Sequence, residues 1–271
     1  MSYLKLPIVV LSEMVSSRAD SINGHIAAYI LTHIEEVRTA SVRELAGKAH
    51  VSASSISRFC REIGLADYNE LKELSWHTTL DFKICSSSET ASEQKSDYVS
   101  MVQKSLDLVR DSVEMEKLQQ LCLDIRSYPK VAVFGVMKSE GVAMNLQADL
   151  MRQGKIVVTK LPFSEQIDYL ENADADSLII IFSYRGIYFQ YGFPRNFQKP
   201  RSKRSKIWFV TSDPKAASSG LYDGVIWFES LQDQTSHPYQ LQLIADLIAQ
   251  SYAHLQKNAL PAPVEADQKP E

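Results

Sequence analysis

The chain is short of cysteine, of metal-binding spacings and of long apolar runs, and each shortage excludes a class. Its 271 residues include 3 cysteines, Cys60, Cys85 and Cys122. They are far apart, odd in number and form no C-x-x-C pair. That excludes a disulfide framework and a structural zinc site, and it implies a reducing compartment. The 6 histidines show no H-x-x-x-H spacing, so no metal site and no cofactor is expected. The apolar runs 6–11 and 178–182 are far too short to span a bilayer. Lys5 followed by Leu6-Pro7-Ile8-Val9-Val10-Leu11 opens like a signal peptide, but Glu13 interrupts it and no small-residue cleavage site follows. The expected location is cytoplasmic, with no membrane partner. An excess of positive charge is lacking too. The formal net charge is -4 and the pI about 5.9, which counts mildly against a non-specific binder of polyanions. A sequence-specific reader of DNA needs only a local basic face.

What is present is the composition of a globular protein, 45% hydrophobic and 23% charged, on a chain long enough for two domains. The stretch that organises it is 51–64. Ser52 is placed to cap a helix. Ile56, Phe59, Cys60 and Ile63 then fall at i, i+3, i+4 and i+7, one apolar stripe. Ser54, Ser57, Arg58 and Arg61 repeat that spacing on another face, with hydroxyls first and guanidinium groups further on. Such a face fits a DNA major groove, where Arg and Ser bond base edges or phosphates. The preceding stretch carries Val42, Leu45, Ala46 and Ala49 at the same spacing, and His50-Val51 leads straight into Ser52. The pair reads as a helix-turn-helix. Periodicity alone fits an ordinary helical hairpin equally well.

A resemblance separates the two. Segment 41–72 is similar to the N-terminal domain of RpiR-type bacterial transcriptional regulators, through Glu44-Leu45-Ala46, Val51-Ser52-Ala53-Ser54-Ser55-Ile56, Arg58-Phe59-Cys60-Arg61, Ile63-Gly64 and Tyr68-Asn69-Glu70-Leu71-Lys72. The resemblance implies binding to double-stranded DNA at a palindromic operator. The candidate groove contacts are Ser54, Ser57, Arg58 and Arg61, with Ser55 on the same turn. Arg43, Ser52 and Lys72 are candidates for phosphates.

Around this core, residues 21–37 are expected to form one first helix and 67–80 a later one. The all-α domain covers 1–83. A polar linker spans 84–96. Two helices follow, broken around Asp111-Ser112. From Lys130 the pattern alternates. Strands are expected at 131–135, 155–159, 178–183, 206–211 and 224–228, with helices at 139–153, 164–172 and 237–256. Strands apolar on both faces mean a parallel sheet covered on both sides by helices. The α/β domain is expected over 97–256 and a disordered tail over 257–271.

In such sheets ligands bind beyond the carboxyl ends of the strands. There the α/β domain resembles the SIS sugar-phosphate-binding domain of the same regulators. The resemblance places Ser139, in the loop after the first strand, and Ser183, in the loop after the third, on the phosphate of a phosphosugar effector. Met137, Arg185 and Tyr188 depart from the family's glycine and hydroxyl positions. Lys138 and Arg185 can supply charge instead, or stand as solvated loop residues. Next, Arg195, Lys199, Arg201, Lys203, Arg204 and Lys206 crowd a short segment that either touches an anion or is a solvated loop. Tyr184, Tyr188, Phe189, Tyr191, Phe193 and Phe197 suggest a packed loop or a subunit contact more than a stacking platform. The expected protein is a homodimeric or homotetrameric transcriptional regulator and no enzyme. Two alternatives stand beside it. One is a sugar-phosphate isomerase, for which Glu165 and His237 are the available bases. The other is a regulator whose SIS-like domain only dimerises.

Overall fold

A computed structural model describes residues 5–18, 20–78, 84, 86–190, 200–216, 218–233 and 237–259. The helical half begins with α1 (Lys5–Ser16), α2 (Ile22–Thr32) and α3 (Ile34–Thr39), followed by α4 (Val42–Lys48), α5 (Ala53–Glu62) and α6 (Tyr68–Trp76). Local chemistry fixes the helix starts. Ser41 and Glu44 form a reciprocal capping box, Ser52 Oγ accepts from the Ser55 N–H at 3.0 Å, and Asp67 accepts from the Asn69 and Glu70 amides.

Two elements differ from the sequence reading. Segment 21–37 is two helices, broken at His33, whose φ and ψ are -129° and 39°. The Thr32 hydroxyl donates to the Ala28 carbonyl at 2.8 Å, and a ring nitrogen of His33 lies 3.1 Å from the Tyr29 carbonyl. The His33 N–H still donates to the Tyr29 carbonyl at 3.0 Å, so α2 keeps its last backbone bond and the break lies in the non-helical backbone angles of His33 itself. The apolar run 6–11 lies within α1, a helix the sequence reading did not assign. Pro7 is tolerated in its first turn. Leu6, Ile8, Val9 and Val10 are all buried.

The α/β half starts with α7 (Ala91–Ser112) and α8 (Met115–Ser127). It continues through β1 (Lys130–Gly135), α9 (Lys138–Arg152), α10 (Phe163–Asn172) and β2 (Ser177–Phe182). It ends with β3 (Lys206–Thr211), β4 (Gly224–Trp227) and α11 (His237–Ala259). The strands form one parallel sheet in the order β1-β2-β3-β4. The expected strand 155–159 is reduced to a single bridge between Ala132 and Val158 on the outer side of β1. Lys155 N–H is taken by the Leu150 carbonyl at the end of α9, and Ile156 is 78% exposed at the edge, so little chain is left to pair. The helix expected to end at 256 runs to Ala259. The proposed tail therefore begins inside a helix, and 260–271 lie outside the described residues.

Two apolar clusters flank the sheet. Val131, Val133, Ile180, Phe182, Trp208 and Val210 pack with α7, α8, α9 and α11. The other face presents Phe134, Ile179, Ile181 and Phe209 to a cluster that contains Phe163 and Leu170 of α10. That cluster continues without interruption through α1 into Ile30, Leu45, Ile56 and Phe59 of the helical half. The two halves share a core.

Candidate functional site

Helices α4 and α5 meet through a tight turn in which the Ala49 N–H donates to Leu45 O and the Val51 N–H to Ala46 O. His50 takes a left-handed φ of 52° there, a conformation that His adopts more readily than most residues. On α5, Ile56, Phe59 and Cys60 are completely buried, while Ser54, Arg58 and Arg61 are exposed. Burial pushes the Cys60 thiol up to about 12. The hydroxyls of Ser54 and Ser55 both lie within 2.8 Å of Ser52 Oγ, so a knot of three serines sits on the first turn of α5. Ser57 is half-buried and donates back to the Ala53 carbonyl at 3.1 Å. Arg61 Nε donates to Ser57 O at 3.2 Å, and Arg58 Nε stands 3.6 Å from Glu62 Oε1. Arg43 is exposed on α4. The Lys72 ammonium donates to the Thr39 carbonyl at 3.0 Å, tying α6 to the end of α3.

The second group of candidates sits where the chain changes direction across the sheet. From β1 it passes through α9 on one face to Val158 on one side, then through α10 on the opposite face to β2 on the other side. In open sheets ligands bind at such a switch point, beyond the carboxyl ends of the strands, here those of β1 and β2. Gly135 ends β1 where a Cβ would lie 2.5 Å from the Ser139 carbonyl oxygen, so only glycine fits. Met137 precedes α9 with φ 58° and ψ -124°, a glycine-type conformation held by a methionine. Its side chain is 40% exposed. Ser139 is buried and Lys138 exposed.

After β2, Ser183 Oγ accepts from the Tyr188 N–H at 3.2 Å. Gly186 has a φ of 72° with Asp213 packed where a Cβ would go. Arg185 is exposed, and Tyr184 is buried with its hydroxyl on Gln240. Tyr188 is fully buried and its hydroxyl donates to Gln166 Oε1 at 2.7 Å. It therefore takes no part in the open loop face. Phe189 joins the same packed cluster, and Tyr191, Phe193 and Phe197 lie outside the described residues. His237, at the start of α11, stacks on Tyr184 at 4.8 Å. Burial, with some help from nearby Lys138 and Arg185, lowers it to about 4, so the ring is neutral at pH 7. Its Nδ1 is buried and has no hydrogen-bond partner among the described residues.

Two cations of the basic segment, Arg204 and Lys206, are paired in the fold and fit neither sequence reading. Arg204 is buried against Asp223 at 3.1 Å. Lys206 pairs with Asp124, which also accepts from Trp208 Nε1 at 2.7 Å. The first pair ties the approach to β3 to the approach to β4, and the second ties β3 to α8. Arg195 and Lys199 lie outside the described residues, and Lys203 is exposed. Sequence reasoning missed Glu140, whose Oε1 is buried without a partner among the described residues and whose carboxyl is raised by burial to about 7. Its unfolded value is near 4.5, so stability is present at low pH and is lost as pH rises from 4.5 to about 7. Glu140→Gln is expected to abolish that decline. After discounting for partial exposure, it should gain about 1–2 kcal/mol near pH 8. Denaturant titrations on either side of neutrality check this.

Among the described residues no group of three or more His, Cys, Asp and Glu could hold a metal ion, and no helix is long and apolar enough to cross a membrane.

The arrangement is that of a helix-turn-helix domain joined to an α/β domain with a four-stranded parallel sheet. Residues 11–79 match the model of the helix-turn-helix domain of the rpiR family, and this N-terminal domain belongs to that family. Among curated proteins, the chain is 25% identical over 184 residues to an HTH-type transcriptional regulator encoded in the aarA 3' region of Providencia stuartii, covering 64% of each. It is 46% identical over 65 residues to an HTH-type transcriptional regulator of Caldanaerobacter subterraneus subsp. tengcongensis, covering 24% of this chain and 23% of that one. The matches thus span less than two thirds of either relative. The Vibrio vulnificus NanR protein, solved in complex with ManNAc-6P, is similar over 94% of this chain and 93% of its own, with a TM-score of 0.53 and 15% identity. That likeness extends the shared fold over both domains.

Proposed function

We propose that the protein is a sequence-specific DNA-binding transcriptional regulator, controlled by a phosphosugar or related metabolite bound between the loops 135–139 and 183–188. The observation that carries the first part is the division of α5. Its apolar side is sealed in the core while Ser54, Arg58 and Arg61 face outward, on the second helix of a domain of the rpiR family. In a helix-turn-helix that helix enters the major groove. Ser54, Ser57, Arg58 and Arg61 take the groove contacts, with Ser52, Ser55, Arg43 and Lys72 near phosphates. Two copies in a homodimer or homotetramer would meet palindromic half-sites ~34 Å apart or a multiple of that. Action on cellular DNA places the protein in the cytoplasm.

The effector part rests on the β1/β2 switch point, on Ser139 and Ser183 in the loops that follow those strands, and on the cations Lys138 and Arg185. A structural relative binds ManNAc-6P. A second reading, in which the α/β domain serves only to dimerise, is favoured by one observation, Met137 in a glycine-type turn. An isomerase would put His237 to use as a base. A group lowered to about 4 by burial is a weak base at pH 7, and the curated relatives are described as transcriptional regulators.

The test has two arms. Selection from random duplexes should enrich a palindrome, and binding should weaken steeply with salt. A thermal-shift screen of sugar phosphates should raise Tm with one of them, because a ligand bound only to the native state stabilises it by mass action. No enriched duplex sinks the regulator. Tight duplex binding with no sugar phosphate shift leaves the dimerisation-only reading.

A further inference from the structure

Two consecutive residues of helix α1 contact α10 and α2, and each contact leads on toward one of the candidate sites. Ser12 is buried. Its hydroxyl donates to the Leu161 carbonyl at 2.6 Å and accepts from the Phe163 N–H at 3.1 Å. Phe163 opens α10, whose own cap residue is Pro162, which makes no side-chain cap bond. The helix is thus capped from the other domain, by a residue 151 positions away in the chain. One turn further on, the fully buried Gln166 joins the two loops at the switch point. Its Nε2 donates to the Gly135 carbonyl at 2.9 Å, and its Oε1 accepts from the Tyr188 hydroxyl, while the Tyr188 N–H donates to Ser183 Oγ.

The neighbouring residue faces the other way. Glu13 Oε1 accepts from Asn23 Nδ2 at 3.0 Å, and the same nitrogen donates to Glu62 Oε2 at 2.8 Å. Glu62 Oε1 is the group beside Arg58 on α5. Hydrogen bonds and short helical turns therefore lead from Ser183 and Gly135 as far as Glu62, and a long ion pair of 3.6 Å makes the last step to the exposed arginine of α5. Around them, α1, α10 and α5 share one apolar cluster, and packed elements of this kind have discrete arrangements rather than continuous ones.

We propose that α1 is the coupling element of the molecule, with Ser12 reporting the state of the switch-point loops through α10 and Glu13 passing it through Asn23 and Glu62 to Arg58. The proposal deepens the function proposed above and rests on it for what binds at the two ends. Binding at either end biases the cap at Ser12, and by linkage the effect is reciprocal.

Hydrogen–deuterium exchange on the full chain tests the mechanical part without any ligand. Ser12→Ala removes the cap and leaves the apolar face of α1 intact. Exchange should rise roughly three- to tenfold in the first turn of α10. The proposal expects a parallel rise in 135–139 and 183–188, and Ser12→Thr, which keeps the hydroxyl, should restore the wild-type pattern. Asn23→Ala, at the far end of the relay, should raise exchange in α1 and at Phe163. A rise confined to the mutated helix contact in both variants overturns the proposal.

A second arm measures duplex affinity by fluorescence anisotropy, with and without glucose 6-phosphate, glucosamine 6-phosphate or N-acetylmannosamine 6-phosphate. In the wild type one of these should change duplex affinity by about 5- to 150-fold. In Ser12→Ala that ratio should fall toward one while duplex and sugar phosphate each still bind. An unchanged ratio overturns the coupling role. If the wild type binds no duplex and no sugar phosphate, the functional reading fails, and the exchange arm still decides the role of α1.

Discussion

Phe59→Ala is expected to destabilise the protein by about 3–5 kcal/mol, the range for deleting a fully buried ring that the surroundings cannot collapse to fill. Phe59 is completely buried on α5, among Ile56, Leu45 and Ile30 in the cluster that reaches through α1 to the sheet. The loss should therefore not stay within the helical half. In a Trp76→Phe background, unfolding followed by far-UV circular dichroism and by tryptophan fluorescence should shift together, because the remaining Trp208 and Trp227 belong to the sheet. A cost below ~1 kcal/mol would mean that the ring is not in the core.

The adjacent residue should behave in the opposite way. Arg58→Ala is expected to leave stability within ~0.5 kcal/mol of wild type, as an exposed residue on the far side of the helix does. It should weaken binding to a selected duplex by roughly 1–3 kcal/mol and relax sequence preference at one position of each half-site. The ion pair with Glu62 is long, at 3.6 Å, and more than half of the Arg58 side chain is exposed. Little stability is tied up in it, so the arginine is free to exchange that carboxylate for a base edge or phosphate. Anisotropy at fixed salt, set against the stability of the same sample, separates a lost contact from a lost fold. Wild-type affinity in a folded Arg58→Ala protein would remove this residue from the interface.

The contrast between neighbours was legible in the sequence because a helix carries its own ruler. A spacing of three and four residues assigns each side chain to a face, and Ser52 announces where α5 begins. Helix α1 gave no such signal. Leu6, Ile8, Val9 and Val10 are buried on several sides at once, because one side meets α2 and another meets α10, so no single stripe forms. The break at His33 lies in that residue's own backbone angles, which periodicity does not register. The partners of Arg204 and Lys206 are Asp223 and Asp124, distant in the chain, and a local reading could see only a run of charge. At the switch point, sequence named the loops by resemblance. It could not tell that Tyr188 turns inward, that Met137 keeps a glycine's turn, or that Gln166 bridges the two loops, since each depends on packing across the sheet.

The thiol of Cys60 sits two residues from Arg58, on the opposite side of the same helix, and burial holds it almost wholly protonated at neutral pH. Only the thiolate attacks electrophiles or peroxide. Helix α5 is therefore chemically deaf to oxidative signals for as long as it stays folded. A maleimide reagent added to the native protein would modify that sulfur only when the domain opens, which makes Cys60 a natural clock for its unfolding.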